Sequence, residues 1–350
     1  MTAEPFPSFA VDIDGIVELI KGRGYERILL QVPEGLKRGA LELSRRIERE
    51  TKAKAFIDGE HCYGACDHSG TRAKLLGLDA VVHLGHADIP HMESECSTPV
   101  HYFITPMKLN TAPLIKGLER IVGEAGVNAF GIASTVQHLE LLGPAGQYLE
   151  SIGRTFLIGG AGRREEYPGQ VLGCSFRSPR RISDEVEAFI YIGTGRFHPI
   201  GMVSAVKKPV WAVDPMTGDV TIYGQNDLDI FLRRRFGAIT KAKESIEKGG
   251  VIGIVVGTKP GQMRKELSEK ALRACEGGGA TASLIVMDHI EPMKLRSLGI
   301  EVAVITACPR IAYDDSPRFL EEGIVVLTVN ELMIALGNDE WESYVFDEEW

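Results

Sequence analysis

Short apolar runs that recur in the same order three times confine this chain to a narrow class of folds. The first series is a strand at Ile28 to Val32, a break at Pro33-Glu34-Gly35, and a helix with Leu36, Ala40, Leu43 and Ile47 on one face. Strands at Ala55 to Ile57, Ala80 to Leu84 and Val100 to Ile104 follow, with a short helix through Leu75-Leu76. The order returns as Phe130 to Ala133, a helix over Leu139 to Ile152, then Phe156 to Ile158, Phe189 to Ile192 and Val210 to Val213. It returns again as Ile252 to Val256, a helix from Gln262 to Ala274, then Ser283 to Met287, Val302 to Ile305 and Ile324 to Leu327. Equivalent strands lie about a hundred residues apart, which is the size of a domain and far longer than a solenoid repeat.

Apolar strands alternating with amphipathic helices imply parallel sheets covered on both faces and joined by right-handed crossovers. The expected architecture is therefore α/β: three repeated α/β sandwich domains with mainly parallel sheets around a pseudo-threefold centre. Their expected bounds are 1–110, 111–225 and 226–350. With 350 residues, the chain exceeds the size at which one core usually keeps growing.

The apolar share of 44% and charged share of 25% are those of ordinary globular proteins, and no run is long enough to span a bilayer. Met1 to Pro7 lacks the basic start and apolar stretch of a signal peptide, so a reducing cytoplasm is expected. A net charge of −9 argues against wrapping nucleic acid directly. The basic clusters Arg163-Arg164, Arg180-Arg181 and Arg233-Arg234-Arg235 read as solvated faces. The acidic end, Asp347-Glu348-Glu349 before Trp350, reads as a frayed terminus.

In parallel sheets, ligands sit beyond the carboxyl ends of the strands, so the turns there carry the functional question. Those turns are small and polar: Val32-Pro33-Glu34-Gly35, Gly85-His86, Ser134 to Gln137, Gly193-Thr194-Gly195-Arg196 and Gly257-Thr258-Lys259-Pro260-Gly261-Gln262. Six cysteines in a reducing compartment point to metal or chemistry rather than to disulfides. Cys66 in Tyr63-Gly64-Ala65-Cys66, Cys174 in Leu172-Gly173-Cys174 and Cys308 in Thr306-Ala307-Cys308-Pro309-Arg310 each fall in such a turn, one per unit. Three thiolates without a fourth suit a 4Fe–4S cluster with one iron open to substrate. Zinc is the weaker alternative, because the paired Cys-x-x-Cys spacing of structural zinc sites is absent.

Cys62 with Cys66 imitates the start of a Cys-x-x-x-Cys-x-x-Cys loop, but position 69 is Ser69, so Cys62 reads as an adjacent, non-essential thiol, with a part in metal binding as the alternative. Cys275 reads as core packing and Cys96 as incidental. His61 and His68 flank Cys66 and read as solvent-facing loop histidines, with metal ligation or proton transfer as the alternative, whereas His198, Asp214 and the pair Asp314-Asp315 are placed to line a cleft or to cap turns.

Together, the motifs around Cys66, Cys174, Gly257 to Gln262 and Cys308 resemble the archaeal 2-(3-amino-3-carboxypropyl)histidine synthase family of diphthamide biosynthesis, over nearly the whole chain. The resemblance implies cluster ligands at Cys66, Cys174 and Cys308, a homodimer, an electron donor, and S-adenosylmethionine as co-substrate. It also implies the reaction. A cluster-generated 3-amino-3-carboxypropyl radical adds to carbon 2 of a histidine in translation elongation factor 2, and methylthioadenosine leaves. On this reading, Glu34, Gly193, Thr194, Gly195, Asp214, Gly257, Thr258 and Gln262 bind the cofactor, while the sequence assigns no residue to the imidazole proton. The competing readings are a hydro-lyase resembling quinolinate synthase and a non-enzymatic metal-binding scaffold.

Overall fold

The computed structural model describes residues 4–92 and 97–348, so Cys96, Glu349 and Trp350 lie outside the described residues. Three sheets form, and all but the last strand of the middle one were legible as apolar runs. The first contains β1 (Arg27–Gln31), β2 (Lys54–Ile57), β3 (Ala80–Leu84) and β4 (Val100–Phe103) in the order β2-β1-β3-β4. The middle sheet contains β5 (Ala129–Ser134), β6 (Thr155–Leu157), β7 (Ala188–Ile192), β8 (Val210–Val213) and β9 (Val220–Tyr223), ordered β6-β5-β7-β8-β9. The third contains β10 (Ile252–Gly257), β11 (Ala282–Met287), β12 (Val302–Ile305) and β13 (Val325–Thr328), ordered β11-β10-β12-β13. The α/β expectation holds, with parallel pairing in each sheet.

The chain divides into two compact units. One runs up to Leu172 and adds Arg177–Gly195 and Lys208–Ile222; the other takes Gly173–Phe176, Arg196–Lys207 and the stretch from Tyr223 onward. In the first unit, Ile28 and Leu30 face the helix Lys37–Glu50 through its buried Ala40, Leu43 and Ile47, the i, i+3, i+7 stripe of an amphipathic helix. Leu29 and Val81 point to the opposite face and meet Ala73 and Leu78. Strands buried on both faces read as continuous apolar runs, which is why the sequence located them. In the middle sheet, Gly117 of the helix Ala112–Ala125 lies close against β8 and the turn after it. A Cβ at Gly117 would come within 2.4 Å of Val213 and 3.0 Å of the Gly218 carbonyl oxygen. Gly117→Val should therefore cost about 1–3 kcal/mol by overpacking, read as a lower urea midpoint at unchanged slope.

In the second unit, the helix Gln225–Glu247 buries Leu228, Phe231, Arg235, Ile239 and Ala242 along one stripe. This corrects the reading of Arg233-Arg234-Arg235 as a solvated face: Arg233 and Arg234 are exposed, but Arg235 is 3% exposed. Its Nε and Nη2 donate to Glu331 Oε1 and Oε2 at 2.7 and 2.6 Å. Nη1 and Nη2 also reach the carbonyls of Ala312 and Val326 at 2.7 and 2.8 Å.

The C-terminal stretch also departs from expectation, because as far as Asp347 it is packed rather than frayed. Phe346 lies among Phe176, Phe197, Phe231 and Tyr313, with ring centroids 4.6 to 6.3 Å away. Asp347 pairs with Arg264 at 3.1 Å. Phe346→Ala should cost about 3–5 kcal/mol, the range for deleting a buried ring, measured by denaturant unfolding. No helix among the described residues is long and apolar enough to cross a membrane.

Candidate metal and cofactor site

Each sheet places its second strand on one side of its first strand and its third strand on the other. The direction of winding therefore reverses between the first and third strands, and the crevice beyond their carboxyl ends is where α/β sheets bind ligands. In the first sheet that point is occupied by Gln31 and His83, which are register partners on β1 and β3. Both are fully buried.

A polar network holds the turn that carries Cys62 and Cys66 against these strand ends. Gln31 Nε2 donates to the Asp67 carbonyl at 2.7 Å, and Gln31 Oε1 accepts from the Ser69 amide at 3.0 Å. Asp58, buried just past β2, accepts from Arg72 at 2.8 Å and from the Ser69 hydroxyl. Tyr102 on β4 donates to the Ala65 carbonyl at 3.2 Å. Cys66 sits in the one-turn helix Ala65–Asp67 and is half-buried. Buried polar groups need such partners, so this turn is held by hydrogen bonds as well as by packing.

One sequence expectation changes here. His68 is 5% exposed rather than solvent-facing, and its burial lowers its pKa. Cys62 is also buried. Its Sγ lies 3.9 Å from His83 Nε2, which in turn lies 2.9 Å from His86 Nδ1. Burial pushes the Cys62 thiol up to about 12 and the His86 imidazole down to about 4. His83 falls well below its ordinary value through burial, reinforced by the neighbouring imidazoles of His86 and His68. His61 is exposed as expected and bonds to Glu34 at 2.9 Å. Glu34 also pairs with Lys37 at 2.6 Å, and that hydrogen bond leads the lowering of its pKa.

At the equivalent end of the middle sheet, Gly193 follows β7 with φ +152° and donates its amide to the Val213 carbonyl at 3.0 Å. A Cβ there would meet the Tyr191 hydroxyl at 2.8 Å, so glycine suits both the dihedral and the space. Thr194 and Gly195 are exposed, and Gly195 is left-handed at φ +78°. Asp214 caps the turn after β8, its Oδ1 accepting from the Met216 amide at 2.8 Å. His138 nearby is buried, which lowers its pKa against the opposing pull of the Asp214 carboxylate.

In the other unit, Cys308 lies between β12 and the short helix Arg310–Tyr313, and its carbonyl accepts from the Ile311 amide at 3.1 Å. Cys174 and Cys308 are both half-buried and in no disulfide. Gly257 ends β10, and a Cβ on it would lie 2.9 Å from Ala307 Cβ. Thr258 is exposed and donates to Asp288 at 3.2 Å, whereas Gln262 is 5% exposed. Arg310 pairs with Asp314 at 2.9 Å and lies 5.3 Å from the centre of the Phe197 ring. His198 is half-buried and drops to about 4 through burial, aided by the Arg310 cation. Asp315 rises through burial. Cys275 is fully buried in the core, as its helical spacing implied.

The structure thus gathers Cys66, Glu34, Gly193 to Gly195 and Asp214 in one unit, and Cys174, Cys308, Gly257, Thr258 and Gln262 in the other. Sequence reasoning missed Gln31, His83 and Tyr102 as site residues and passed over His86 as an ordinary turn residue. The available signal was the pair of polar residues, Gln31 and His83, in otherwise apolar strands.

This fold is that of a known group of proteins. The sequence pattern of the diphthamide synthesis protein family matches residues 32–345, and the chain belongs to that family. It is 34% identical over 337 residues to the 2-(3-amino-3-carboxypropyl)histidine synthase of Pyrococcus horikoshii, covering 95% of this chain and 92% of that protein. It is 30% identical to subunit 1 of the human 2-(3-amino-3-carboxypropyl)histidine synthase over 320 residues, 91% of this chain and 69% of that one. The crystal structure of Dph2 from Pyrococcus horikoshii with a 4Fe–4S cluster superposes with a TM-score of 0.84 at 33% identity, covering 97% of this chain and 94% of that chain.

Proposed function

We propose that this chain is a 2-(3-amino-3-carboxypropyl)histidine synthase that carries out the first step of diphthamide biosynthesis. The observation that carries this reading is the near full-length likeness, in sequence and fold, to the Pyrococcus enzyme. The donor set suits a 4Fe–4S cluster: Cys66, Cys174 and Cys308 are half-buried thiols, none of them in a disulfide. They are the residues proposed to hold it, one from each unit of the division 1–110, 111–225 and 226–350. When bound, the cluster supplies the electron for cleaving the γ-carbon to sulfur bond of S-adenosylmethionine, and the resulting 3-amino-3-carboxypropyl radical modifies carbon 2 of a histidine in elongation factor 2.

The protein's own contribution is orientation, since a sulfonium carries three carbon–sulfur bonds and only one may be presented for cleavage. Gly195, exposed and left-handed with open space where a Cβ would sit, leaves backbone that a cofactor can approach closely, while Gly193 and Gly257 let the strand ends pack against Tyr191 and Ala307. Thr194 and Thr258 expose hydroxyls beside them. Glu34, Asp214 and Gln262 complete the proposed cofactor set, the first two with carboxylates at strand-end turns. The same reading includes a homodimer, an electron donor and a cytoplasmic setting.

The test is anaerobic. The chain is reconstituted with iron and sulfide, then given dithionite, S-adenosylmethionine and elongation factor 2. Methylthioadenosine together with a 3-amino-3-carboxypropyl mass gain on one histidine of the factor is the expected result. Intact S-adenosylmethionine beside a properly formed, reducible cluster would overturn the assignment.

A further inference from the structure

We propose that Cys62, His83 and His86 form a second metal site, a mononuclear Cys-His-His centre for a zinc-class divalent cation that shares no ligand with the three-cysteine set. This inference does not rest on the transferase reading. One ligand atom from each residue lies within 4.8 Å of the other two. A thiolate and two imidazoles are the ligand types that zinc prefers, and three protein ligands leave its fourth tetrahedral position open.

The hydrogen bonding of Gln31 determines which nitrogen His83 offers. Gln31 Nε2 donates to the Asp67 carbonyl and Gln31 Oε1 accepts from the Ser69 amide, so the orientation of the amide is set by two backbone groups. That same Oε1 lies 2.8 Å from His83 Nδ1, which must therefore be the protonated, donating nitrogen. His83 Nε2 is left with a lone pair directed at Cys62 and His86, at 3.9 and 2.9 Å. An imidazole whose far N–H is bound to a fixed acceptor is the arrangement that orients histidine ligands in metal sites. The Tyr102 ring, 4.9 Å from that of His83, restrains the plane.

The spacing also fits. Zinc–nitrogen bonds of about 2.0 Å and zinc–sulfur bonds of about 2.3 Å separate tetrahedral ligand atoms by roughly 3.3 to 3.6 Å. The His83–His86 and Cys62–His83 separations of 2.9 and 3.9 Å lie on either side of that range, and all three ligand atoms lie within 4.8 Å of one another. His86 need only exchange tautomers to turn a lone pair inward, and the Cys62 proton leaves to solvent. His83 and Cys62 are buried, whereas His86 is half-buried and leaves a side for water or a small anionic ligand.

Cobalt(II) reports such a site through the visible bands of tetrahedral coordination and a near-ultraviolet thiolate-to-cobalt charge-transfer band. The C66A/C174A/C308A chain, stripped of metal and titrated anaerobically, should bind one cobalt with both signatures. Adding C62S should abolish the charge-transfer band, and adding H86N should weaken binding by about 10–100-fold or more. Absence of the bands in a folded triple variant, or their persistence with C62S and H86N, would overturn the site. If the triple variant does not fold, the same titration of the wild-type chain and its C62S variant decides the matter. A C62S-sensitive charge-transfer difference supports the site, and identical spectra refute it.

Discussion

Alanine at any one of Cys66, Cys174 or Cys308 should lower cluster content and methylthioadenosine formation by more than about 100-fold. Substituting partners that merely orient a ligand already costs about 10–100-fold, so losing a ligand outright should cost more. A cluster built on three thiolates has no spare protein ligand, and a missing one leaves a second iron open to solvent and oxidation. The contrast with the remaining described cysteines makes the test specific. Cys275 is fully buried in the third sheet's core, so Cys275→Ala should leave iron, sulfide and turnover unchanged and cost only packing. Cys62→Ala should likewise retain the 4Fe–4S cluster while removing the cobalt signature. Iron and sulfide analysis, visible absorption and product mass spectrometry on these five variants check the expectation. Full turnover by any one of the Cys66, Cys174 or Cys308 variants would remove that residue from the ligand set.

Arg235→Ala should destabilise the second unit by about 3–5 kcal/mol, because it leaves the Glu331 carboxylate buried without its cation. Glu331 is fully buried, and its other partners are the Thr328 amide at 2.8 Å and the Tyr344 hydroxyl at 3.2 Å. These cannot neutralise a full charge in a medium that solvates it poorly. Removing Arg235 also takes a side-chain donor from the carbonyls of Ala312 and Val326. The paired replacement Arg235→Met with Glu331→Leu should recover most of the loss, since well-packed apolar residues often match a buried ion pair. Urea unfolding of the single and paired variants measures both effects. A single-variant loss below about 1 kcal/mol would place this pair with ordinary surface bridges.

Among the described residues, twelve of the thirteen strands were readable as mainly apolar runs, and where a strand is buried on both faces the run is unbroken, as in β7 and β12. The strand that escaped, β9, is an edge strand with two exposed residues and no such run. Cys66, Cys174 and Cys308 were legible as candidates for a related reason. Reactive residue types in polar turns after apolar strands stand out without knowledge of any partner.

What the sequence could not convey was pairing between residues far apart in the chain. Arg235 lies on the apolar stripe of its helix between Phe231 and Ile239, yet as a residue type it reads as surface until Glu331, 96 positions away, is brought beside it. Asp347 reads as a frayed end until Arg264 meets it. Gln31, His83 and His86 are unremarkable one at a time, and only the alignment of β1 with β3 brings them together beside Cys62. The sequence by itself determined the α/β class and the strand-end turns, because hydrophobic periodicity is a local property. The tertiary structure alone decided which polar side chains are buried together, because burying a charge or an imidazole depends on partners that the chain supplies only after it has folded.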